Sequence, residues 1–295
     1  MSGSSPARFV RPLVSTQWLA DHLGADDIVV LDATVLEITG FDGEPAWITG
    51  DDAFLVDGHV PGAHFADLLE AFSDPAAPFG FARPTAGQFE AAASTLGIDN
   101  DSTVIVYDSS LGQWAARLWW LFRANGFDNV AVLDGGFTRW HSEERPIETG
   151  YRQPREATFV AQPREHVWAD KGFVETVVRG ERPAVLVCSL PRREFSGEVT
   201  VRRRRRGHIP GSINVPISSL VDPATTTFLE PPAIRRVLAP ALAPASTVVA
   251  YCAGGITAAG TALALALIGH DDVVLYDGSL NEWAADPAAP LVTTA

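Results

Sequence analysis

One cysteine stands where a buried strand passes into a helix, and no other position in the sequence is as well suited to nucleophilic chemistry. The apolar run Thr247–Tyr251 stops at Cys252. The turn and the first helical residues after it are Ala253, Gly254, Gly255, Ile256 and Thr257. A small, glycine-rich turn lets backbone N–H groups point inward, where the helix dipole adds to their attraction for an anion. These surroundings favour a thiolate, so the sequence predicts Cys252 as a catalytic nucleophile; the alternative is a small buried apolar residue.

The elements around this loop alternate between short β-branched runs and helical patterns. The predicted strands are Ile28–Leu31, Val104–Tyr107, Val130–Leu133, Ala184–Val187, Val248–Tyr251 and Val273–Tyr276. The predicted helices cover residues 85–96, 114–125, 165–179, 231–239 and 256–268. Runs without alternation are typical of strands buried on both faces. We therefore predict an α/β fold with mostly parallel sheets and helices on both faces, and a site at the carboxyl ends of the strands.

Three motifs occur twice in the same order. Gly-His-Val-Pro-Gly at 58–62 returns as Gly-His-Ile-Pro-Gly at 207–211, Thr103–Asp108 returns as Thr247–Cys252, and Asp134-Gly with Trp140 returns as Asp277-Gly with Trp283. The offsets of 149, 144 and 143 residues indicate a tandem duplication. We expect domains at 10–142 and 164–290, joined by a Pro-rich, polar linker at 143–163. Asp108 occupies the place of Cys252 in the first copy, so the first domain is expected to be inactive.

Composition narrows the function classes. The chain has 295 residues, 46% hydrophobic and 20% charged, with a net charge of −14 that disfavours nucleic acid as a partner. Residues 1–150 hold 22 acidic and 7 basic residues, whereas residues 151–295 hold 14 and 15, so the second half is better suited to a small anion. Two cysteines are too few for a disulfide-stapled secreted fold, and the start Met1–Arg11 has no apolar core of a signal peptide. No apolar run is long enough to cross a membrane, so we predict a cytoplasmic protein that does not enter the membrane.

The repeated motifs carry a resemblance to a known family. Leu13-Val14-Ser15 with Trp18-Leu19, both Gly-His-hydrophobic-Pro-Gly boxes, Arg117-x-Trp119-Trp120 and both Asp-Gly boxes resemble the two-domain rhodanese-like sulfurtransferases, which act on thiosulfate or 3-mercaptopyruvate. The resemblance runs from Leu13 to Trp283 and implies tandem rhodanese-like domains with Cys252 catalytic in the second. It implies sulfur transfer through a Cys252 persulfide to cyanide or a thiol, with no metal or other cofactor. We expect a monomer.

The loop and the preceding strand end depart from the family pattern. The small residues Ala253 and Gly254 favour the mercaptopyruvate branch, but Gly254 lacks the hydroxyl that this branch combines with a histidine and a carboxylate. His59 matches that histidine, and Asp51 or Asp52 is the candidate acid. Leu190 replaces the arginine that binds the donor anion in the family. We expect Arg192, Arg193 or the run Arg202–Arg206 to supply the charge; the run is otherwise a solvated insert.

Other residues have structural interpretations. His59 and His208 are expected to bond nearby backbone before a turn, and Trp119, Trp120, Trp140 and Trp283 to pack in the core. Cys188 is expected to end a buried strand, with a resolving thiol as the alternative. Asp134 and Asp277 are expected to cap turns, and Arg117 to form a salt bridge.

Two other functions compete with sulfur transfer. Leu190 and Gly254 leave open a degenerate rhodanese fold that binds or regulates without turnover. A cysteine phosphatase is disfavoured, because it needs an arginine six residues after the cysteine and that position is Ala258.

Overall fold

Each half of the chain folds around a five-stranded parallel sheet, in a computed structural model that describes residues 11–41, 43–199, 201, 204–242 and 247–294. The first half contains β1 (Leu13–Val14), α1 (Thr16–His22), β2 (Ile28–Asp32), β3 (Val35–Thr39), β4 (Pro45–Thr49), α2 (Asp51–Val56), β5 (His64–Phe65), α3 (Ala86–Thr95), β6 (Thr103–Tyr107), α4 (Gln113–Ala124), β7 (Val130–Leu133) and α5 (Gly136–Ser142). The second half contains β8 (Trp168–Ala169), α6 (Lys171–Val178), β9 (Ala184–Cys188), α7 (Arg192–Ser196), β10 (Ile213–Asn214), α8 (Pro231–Leu238), β11 (Thr247–Tyr251), α9 (Ile256–Leu267), β12 (Val273–Tyr276) and α10 (Ser279–Trp283). Short 3₁₀ turns lie at Glu165–Val167, Ile217–Ser219 and Ala239–Ala241.

The two sheets have the same strand order. The first runs β1-β7-β6-β2-β5 and the second β8-β12-β11-β9-β10, and every pairing within them is parallel. In the first sheet, alternate residues of one strand face opposite layers. Val30 packs with α1, α2 and α5, whereas Val29 and Leu31 pack with α3 and α4. The predicted α/β class, with helices on both faces of a parallel sheet, is confirmed.

The two halves meet through the helices that follow their central strands. Helix α4 packs against α9, and one apolar core continues from the first half into the second. Trp119, Trp120, Trp140 and Trp283 are all at most 3% exposed, as expected of core residues. Because α4 and α9 each begin just beyond the carboxyl end of a sheet, their contact brings the carboxyl ends of the two sheets together.

One predicted helix is wrong, and two further features of the fold were not predicted. Residues 165–179 do not form one helix: a 3₁₀ turn and β8 come first, and α6 begins after Asp170, whose carboxylate accepts the N–H of Phe173 at 2.7 Å. The antiparallel hairpin of β3 and β4 had no counterpart among the predicted strands. The segment 151–164 lacks helix and strand, but Phe159 is 2% exposed among the rings of the first half, so this segment is packed rather than a loose tether.

Candidate active site

Cys252 is the first residue after β11, the central strand of the second sheet, and it is 2% exposed. Its N–H donates to Oγ of Ser279 at 3.1 Å, and its carbonyl accepts the N–H of Leu280 at 3.1 Å. The Ser279 hydroxyl in turn donates to the carbonyl of Tyr276 at 2.7 Å. These bonds fix the cysteine backbone at the carboxyl edge of the sheet, where ligands bind in open α/β folds.

The residues after Cys252 form a tight turn into α9. The carbonyl of Ala253 accepts the N–H of Asn281 at 2.8 Å, and Gly255 is the N-cap of α9 with φ +80°, a left-handed conformation that glycine adopts without strain. Ile256 starts the helix at 8% exposure. The Thr257 hydroxyl is buried with no hydrogen-bond partner among the described residues. The start of α9 therefore offers hydrogen-bond donors beside Cys252, since the first N–H groups of a helix have no partner within it.

The corresponding loop of the first half shows what such a turn binds. Oδ1 of Asp108 accepts the N–H groups of Ser110 at 2.7 Å and Gly112 at 3.1 Å, and Oδ2 accepts those of Trp114 and Ala115 at 2.9 Å each. Burial raises the pKa of this carboxyl above its usual value, and the four N–H bonds, which favour the ionised form, oppose that rise only in part. The turn is thus an anion cradle occupied by the chain's own side chain.

The second half repeats this geometry around a thiol. Gly112 and Gly255 are both left-handed N-caps, with φ +81° and φ +80°. Trp114 and Ala115 lie two and three residues after Gly112, and Thr257 and Ala258 lie two and three residues after Gly255, so their N–H groups correspond. The loop of the second half is one residue shorter than that of the first. Cys252 therefore occupies the position from which Asp108 reaches its four donors.

A buried arginine of the first half lies behind the Cys252 loop. Arg117 on α4 is 1% exposed, and its Nη2 donates to Oδ1 of Asp277 and to the carbonyl of Phe81, both at 2.7 Å. Its Nη1 has no partner among the described residues, and a Cβ added to Gly255 would lie 3.0 Å from it. The predicted salt bridge is confirmed, and it joins the two halves at the loop.

The sequence predicted that Asp134 and Asp277 cap their own turns, and this prediction is wrong. Oδ2 of Asp277 accepts the N–H of Arg83 at 2.8 Å, and Oδ1 of Asp134 accepts the N–H of Phe228 at 2.9 Å. Each half thus donates one backbone N–H to the aspartate of the other half. The turn prediction failed because these carboxylates face the interface between the halves.

Cys188 ends β9 and is fully buried. Burial raises the pKa of its thiol to about 12. The register pairs Cys188 with Tyr251, and both cysteines are free thiols. Because paired residues of neighbouring strands point to the same face, Cys188 shares a face with Tyr251 rather than with Cys252. The expectation of a buried strand-end residue is confirmed, and the resolving thiol stays an untested alternative.

Both box histidines bond nearby backbone, as expected, and a substrate-binding role for His59 stays a prediction. Nδ1 of His59 donates to the carbonyl of Phe54 at 2.9 Å, and its ring stacks on Phe54 with centroids 3.6 Å apart. His208 repeats this arrangement: its Nδ1 donates to the carbonyl of Phe195 at 2.8 Å, and its ring stacks on Phe195 with centroids 3.6 Å apart. Because Nδ1 of His59 meets a carbonyl, it does not bond Asp51 or Asp52 in a relay. Asp51 instead accepts the Thr49 hydroxyl at 2.5 Å.

The expected anion-binding arginines divide into exposed and inward-facing groups. Arg192 is exposed, and Arg193, with its side chain 73% exposed, pairs with Glu198. Arg205 donates to the carbonyls of Asp286, Pro287 and Ala289, Arg206 is exposed, and Arg202 and Arg203 lie outside the described residues. Arg204 points inward, its side chain 13% exposed. Arg192 and Arg193 both extend into solvent, and a role for them in substrate binding stays a prediction.

Sequence reasoning missed the aromatic wall of the loop. Phe81, at φ +64°, would lie 3.6 Å from a Cβ on Gly254, and its ring contacts Trp47 of β4 and Trp114 of α4. Asn281 was also missed, although its amide would lie 3.1 Å from the same Cβ. The Asp-Gly-x-x-x-x-Trp box that contains Asn281 was the available signal. No comparable pattern marked Phe81, which comes from the other half.

The described residues contain neither a candidate metal centre nor a helix that could span a membrane. Across those residues, no group of three or more His, Cys, Asp and Glu side chains is arranged to hold a metal ion. Within the same ranges, none of the helices combines the length and apolar character needed to cross a bilayer.

The fold and the Cys252 loop define a class of two-domain α/β proteins with a thiol at the carboxyl edge of the second sheet. The sequence model of the rhodanese-like domain matches residues 15–143 and 182–286. The chain therefore belongs to the rhodanese family, as the motifs had indicated.

Individual relatives match nearly the whole chain. It is 33% identical over 282 residues to thiosulfate sulfurtransferase of Gallus gallus, covering 92% of this chain and 93% of the relative. It is 32% identical over 283 residues to 3-mercaptopyruvate sulfurtransferase of Escherichia coli K12, covering 94% and 96%. The crystal structure of SseA from Escherichia coli, described as a 3-mercaptopyruvate sulfotransferase, superposes with a TM-score of 0.80 at 30% identity and covers 92% of this chain and 99% of that one.

Proposed function

We propose that this protein is a sulfurtransferase that moves a sulfane sulfur from thiosulfate or 3-mercaptopyruvate to a thiophilic acceptor through a persulfide on Cys252. Relatives that match more than nine-tenths of the chain are named for each of these two donors. The observation that carries the proposal is the Asp108 cradle. Four N–H groups hold a carboxylate in the first loop, and the equivalent loop of the second half holds a cysteine in the same place.

The reaction needs a stabilised sulfur anion twice. In the first step the Cys252 thiolate attacks the outer sulfur of the donor, and a sulfur–sulfur bond forms at Cys252. With thiosulfate, the donor's own sulfur–sulfur bond breaks and its electron pair leaves with sulfite. With 3-mercaptopyruvate, the carbon–sulfur bond breaks, the electron pair leaves on carbon as the enolate of pyruvate, and the enolate then takes a proton from solvent. In the second step a cyanide ion or a thiolate takes the outer sulfur and returns the electron pair to Sγ. The backbone N–H groups fixed around the loop stabilise both the thiolate and the persulfide anion, because they already point at the sulfur and need not reorganise.

The donors are small anions, the acceptor is cyanide or a thiol, and the protein works in the cytoplasm as a monomer, without nucleic acid. The first domain (10–142) supplies packing and interface groups, because Asp108 has no sulfur atom to receive the donor's. The linker (143–163) joins it to the domain at 164–290, which carries the reaction.

Mass spectrometry of donor-treated protein tests the proposal. Incubation with either donor should add about 32 Da at Cys252, the mass of one sulfur atom, and subsequent cyanide should remove it as thiocyanate. Cys252→Ser should lose both signals, whereas Cys188→Ser should keep them, since the Cys188 thiol faces Tyr251. Absence of the added sulfur with both donors would favour the inert binding module that Leu190 and Gly254 had left open.

A further inference from the structure

A groove of about 400 Å³ lies between the two halves, beside β8 at the edge of the second sheet. Its lining comes from Phe79 and Arg83 of the first half and from residues within 165–173 and 276–282 of the second. None of the loop residues 252–257, all of which the structure describes, lines it. The groove is therefore a second cavity, separate from the thiol site.

Aromatic and acidic side chains dominate the lining of this groove. The aromatic members are Phe79, Trp168, Phe173 and Tyr276, the acidic members are Glu165, Asp170, Asp277 and Glu282, and the basic member is Arg83. Ring faces and carboxylates both attract cations. Among the described residues no set of carboxylate, histidine or thiol groups is arranged to hold a metal ion. The groove is therefore suited by size and composition to an organic cation rather than a metal.

The Trp168 ring already holds two guanidinium groups of this chain. Cζ of Arg83 lies 5.1 Å from the ring centroid, and Cζ of Arg117 lies 5.4 Å from it. Arg117 is fixed by its buried pair with Asp277, whereas the Arg83 side chain is 39% exposed and pairs with the exposed Glu165 at 2.9 Å. An exposed ion pair contributes little to stability, so the Arg83 side chain can leave the ring at small cost. Arg83 thus shows where the cation of a ligand would lie.

Two polar groups of the groove have no adequate partner. Tyr276 is fully buried, and its hydroxyl makes no well-formed hydrogen bond to a described residue. Burial raises the pKa of this hydroxyl, and the adjacent Glu282 carboxylate raises it further. Glu282 folds back over Gly278, where an added Cβ would collide with its carboxylate, while the nearby Lys171 pairs with Asp286 instead. A guanidinium or ammonium group would donate the N–H bonds that the carboxylate and the phenol oxygen can accept.

We infer that this groove binds a small organic cation, whose guanidinium or ammonium group replaces Arg83 on the Trp168 ring and donates to Glu282 and Tyr276. The apolar body of the ligand packs against the remaining rings of the lining. The inference concerns a site apart from Cys252 and does not depend on the proposed function.

Butylguanidinium and butylurea form a matched pair of ligands, because their shapes are nearly equal and only the first carries a charge. Isothermal titration calorimetry at low ionic strength should give a Kd for butylguanidinium about tenfold or more below that for butylurea. Glu282→Gln and Trp168→Phe should each weaken butylguanidinium binding about threefold to tenfold. Arg83→Gln should tighten it, because the internal competitor is removed. Glu181→Gln, which removes an equal charge from an exposed pair beyond the other end of α6, is the control and should leave the Kd unchanged.

Alkylation of Cys252 with iodoacetamide distinguishes the groove from the thiol site. Protein alkylated at Cys252 should bind butylguanidinium with the same Kd, since the loop does not line the groove. Absence of binding, equal Kd values for the two ligands, loss of binding on alkylation, or an effect of Glu181→Gln as large as that of Glu282→Gln would overturn the inference. Failure of both donors to add sulfur at Cys252 would refute the proposed function and leave this inference standing, because binding in the groove needs no turnover.

Discussion

Nη2 of Arg117 and Oδ1 of Asp277 lie 2.7 Å apart across the interface between the two halves, directly behind the Cys252 loop. The two residues come from different copies of the fold, on α4 and at the end of β12. The arginine is 1% exposed and the aspartate side chain 11%, so neither charge is compensated by solvent. The first half therefore contributes a charge to the site even though its own loop holds Asp108.

Removing one charge of this pair should destabilise the protein strongly. Arg117→Met leaves the Asp277 carboxylate buried without a cation, and we expect the free energy of unfolding in urea to fall by about 3–5 kcal/mol. Arg193→Met, which removes an exposed pair, should change it by less than about 1 kcal/mol. The double variant Arg117→Met with Asp277→Leu should recover part of the loss. Equal effects of the two single variants would contradict the importance of the buried pair.

Asp108 should matter for stability and not for sulfur transfer. Asp108→Asn places an amide NH₂ against N–H donors of the first cradle, and we expect about 1–3 kcal/mol of lost stability for each donor left without an acceptor. Steady-state kcat/KM for either donor should be unchanged, because the thiol lies in the other half. A thousandfold loss of turnover in a folded variant would show that the first half takes part in the chemistry.

A buried acid in the first half makes stability depend on pH. Burial raises the pKa of Asp32 to about 6 from its usual 3.8, and bonds from Thr34 and Tyr107 oppose this only in part. The folded protein therefore binds this proton more tightly than the unfolded chain. The stabilisation is fully present below about pH 4 and is lost as the pH rises through about 6.

Asp32→Asn should remove this dependence, because an amide resembles the protonated acid at every pH. The stability of Asp32→Asn relative to the parent should increase by about 3 kcal/mol between pH 4 and pH 7, measured by urea unfolding at each pH. Asp99→Asn is a flat control, since bonds from Ser102 and Arg155 hold the pKa of Asp99 below its usual 3.8 despite partial burial, so its contribution changes mainly below pH 4 and its difference from the parent should stay nearly constant between pH 4 and pH 7. A constant difference between Asp32→Asn and the parent would contradict the shifted pKa.

The sequence predicted what is local and repeated. The strands Val130–Leu133 and Val273–Tyr276 have their predicted bounds, and Cys252 follows its strand directly, because β-branched runs and glycine turns encode their own conformation. The hairpin of β3 and β4 was not predicted, because its apolar residues form no continuous run and its sequence is not repeated in the second half. Residues 165–170 were misassigned because Asp170 was not recognised as the N-cap.

The site was predicted only where its groups belong to one stretch of chain. The loop Ala253–Thr257 is such a stretch. Phe81 and Arg117 reach it from the other half, and nothing in their local sequence specifies that contact. The sequence could not show which of Arg192 and Arg204 points inward. The Arg192 side chain faces solvent and the Arg204 side chain faces Glu194, and this direction is set by the fold.

The missing hydroxyl at Gly254 can be restored to learn whether the loop tolerates it. The backbone of Gly254 does not have a positive φ, so a side chain is compatible with its conformation. An added Cβ would lie 3.1 Å from the Asn281 amide and 3.3 Å from the carbonyl of Gly80. The amide is the more mobile neighbour, and moving it would also disturb its contact with Arg204.

Gly254→Ala and Gly254→Ser separate crowding from chemistry, because both add the Cβ and only serine adds a hydroxyl. We expect both variants to raise KM for 3-mercaptopyruvate by a similar factor and to lose about 1–3 kcal/mol of stability through overpacking. Steady-state kinetics with thiosulfate and with 3-mercaptopyruvate provide the measurement. If serine alone increases kcat with 3-mercaptopyruvate, the hydroxyl acts on the reaction itself, and the crowding of Asn281 is not what decides the identity of this residue.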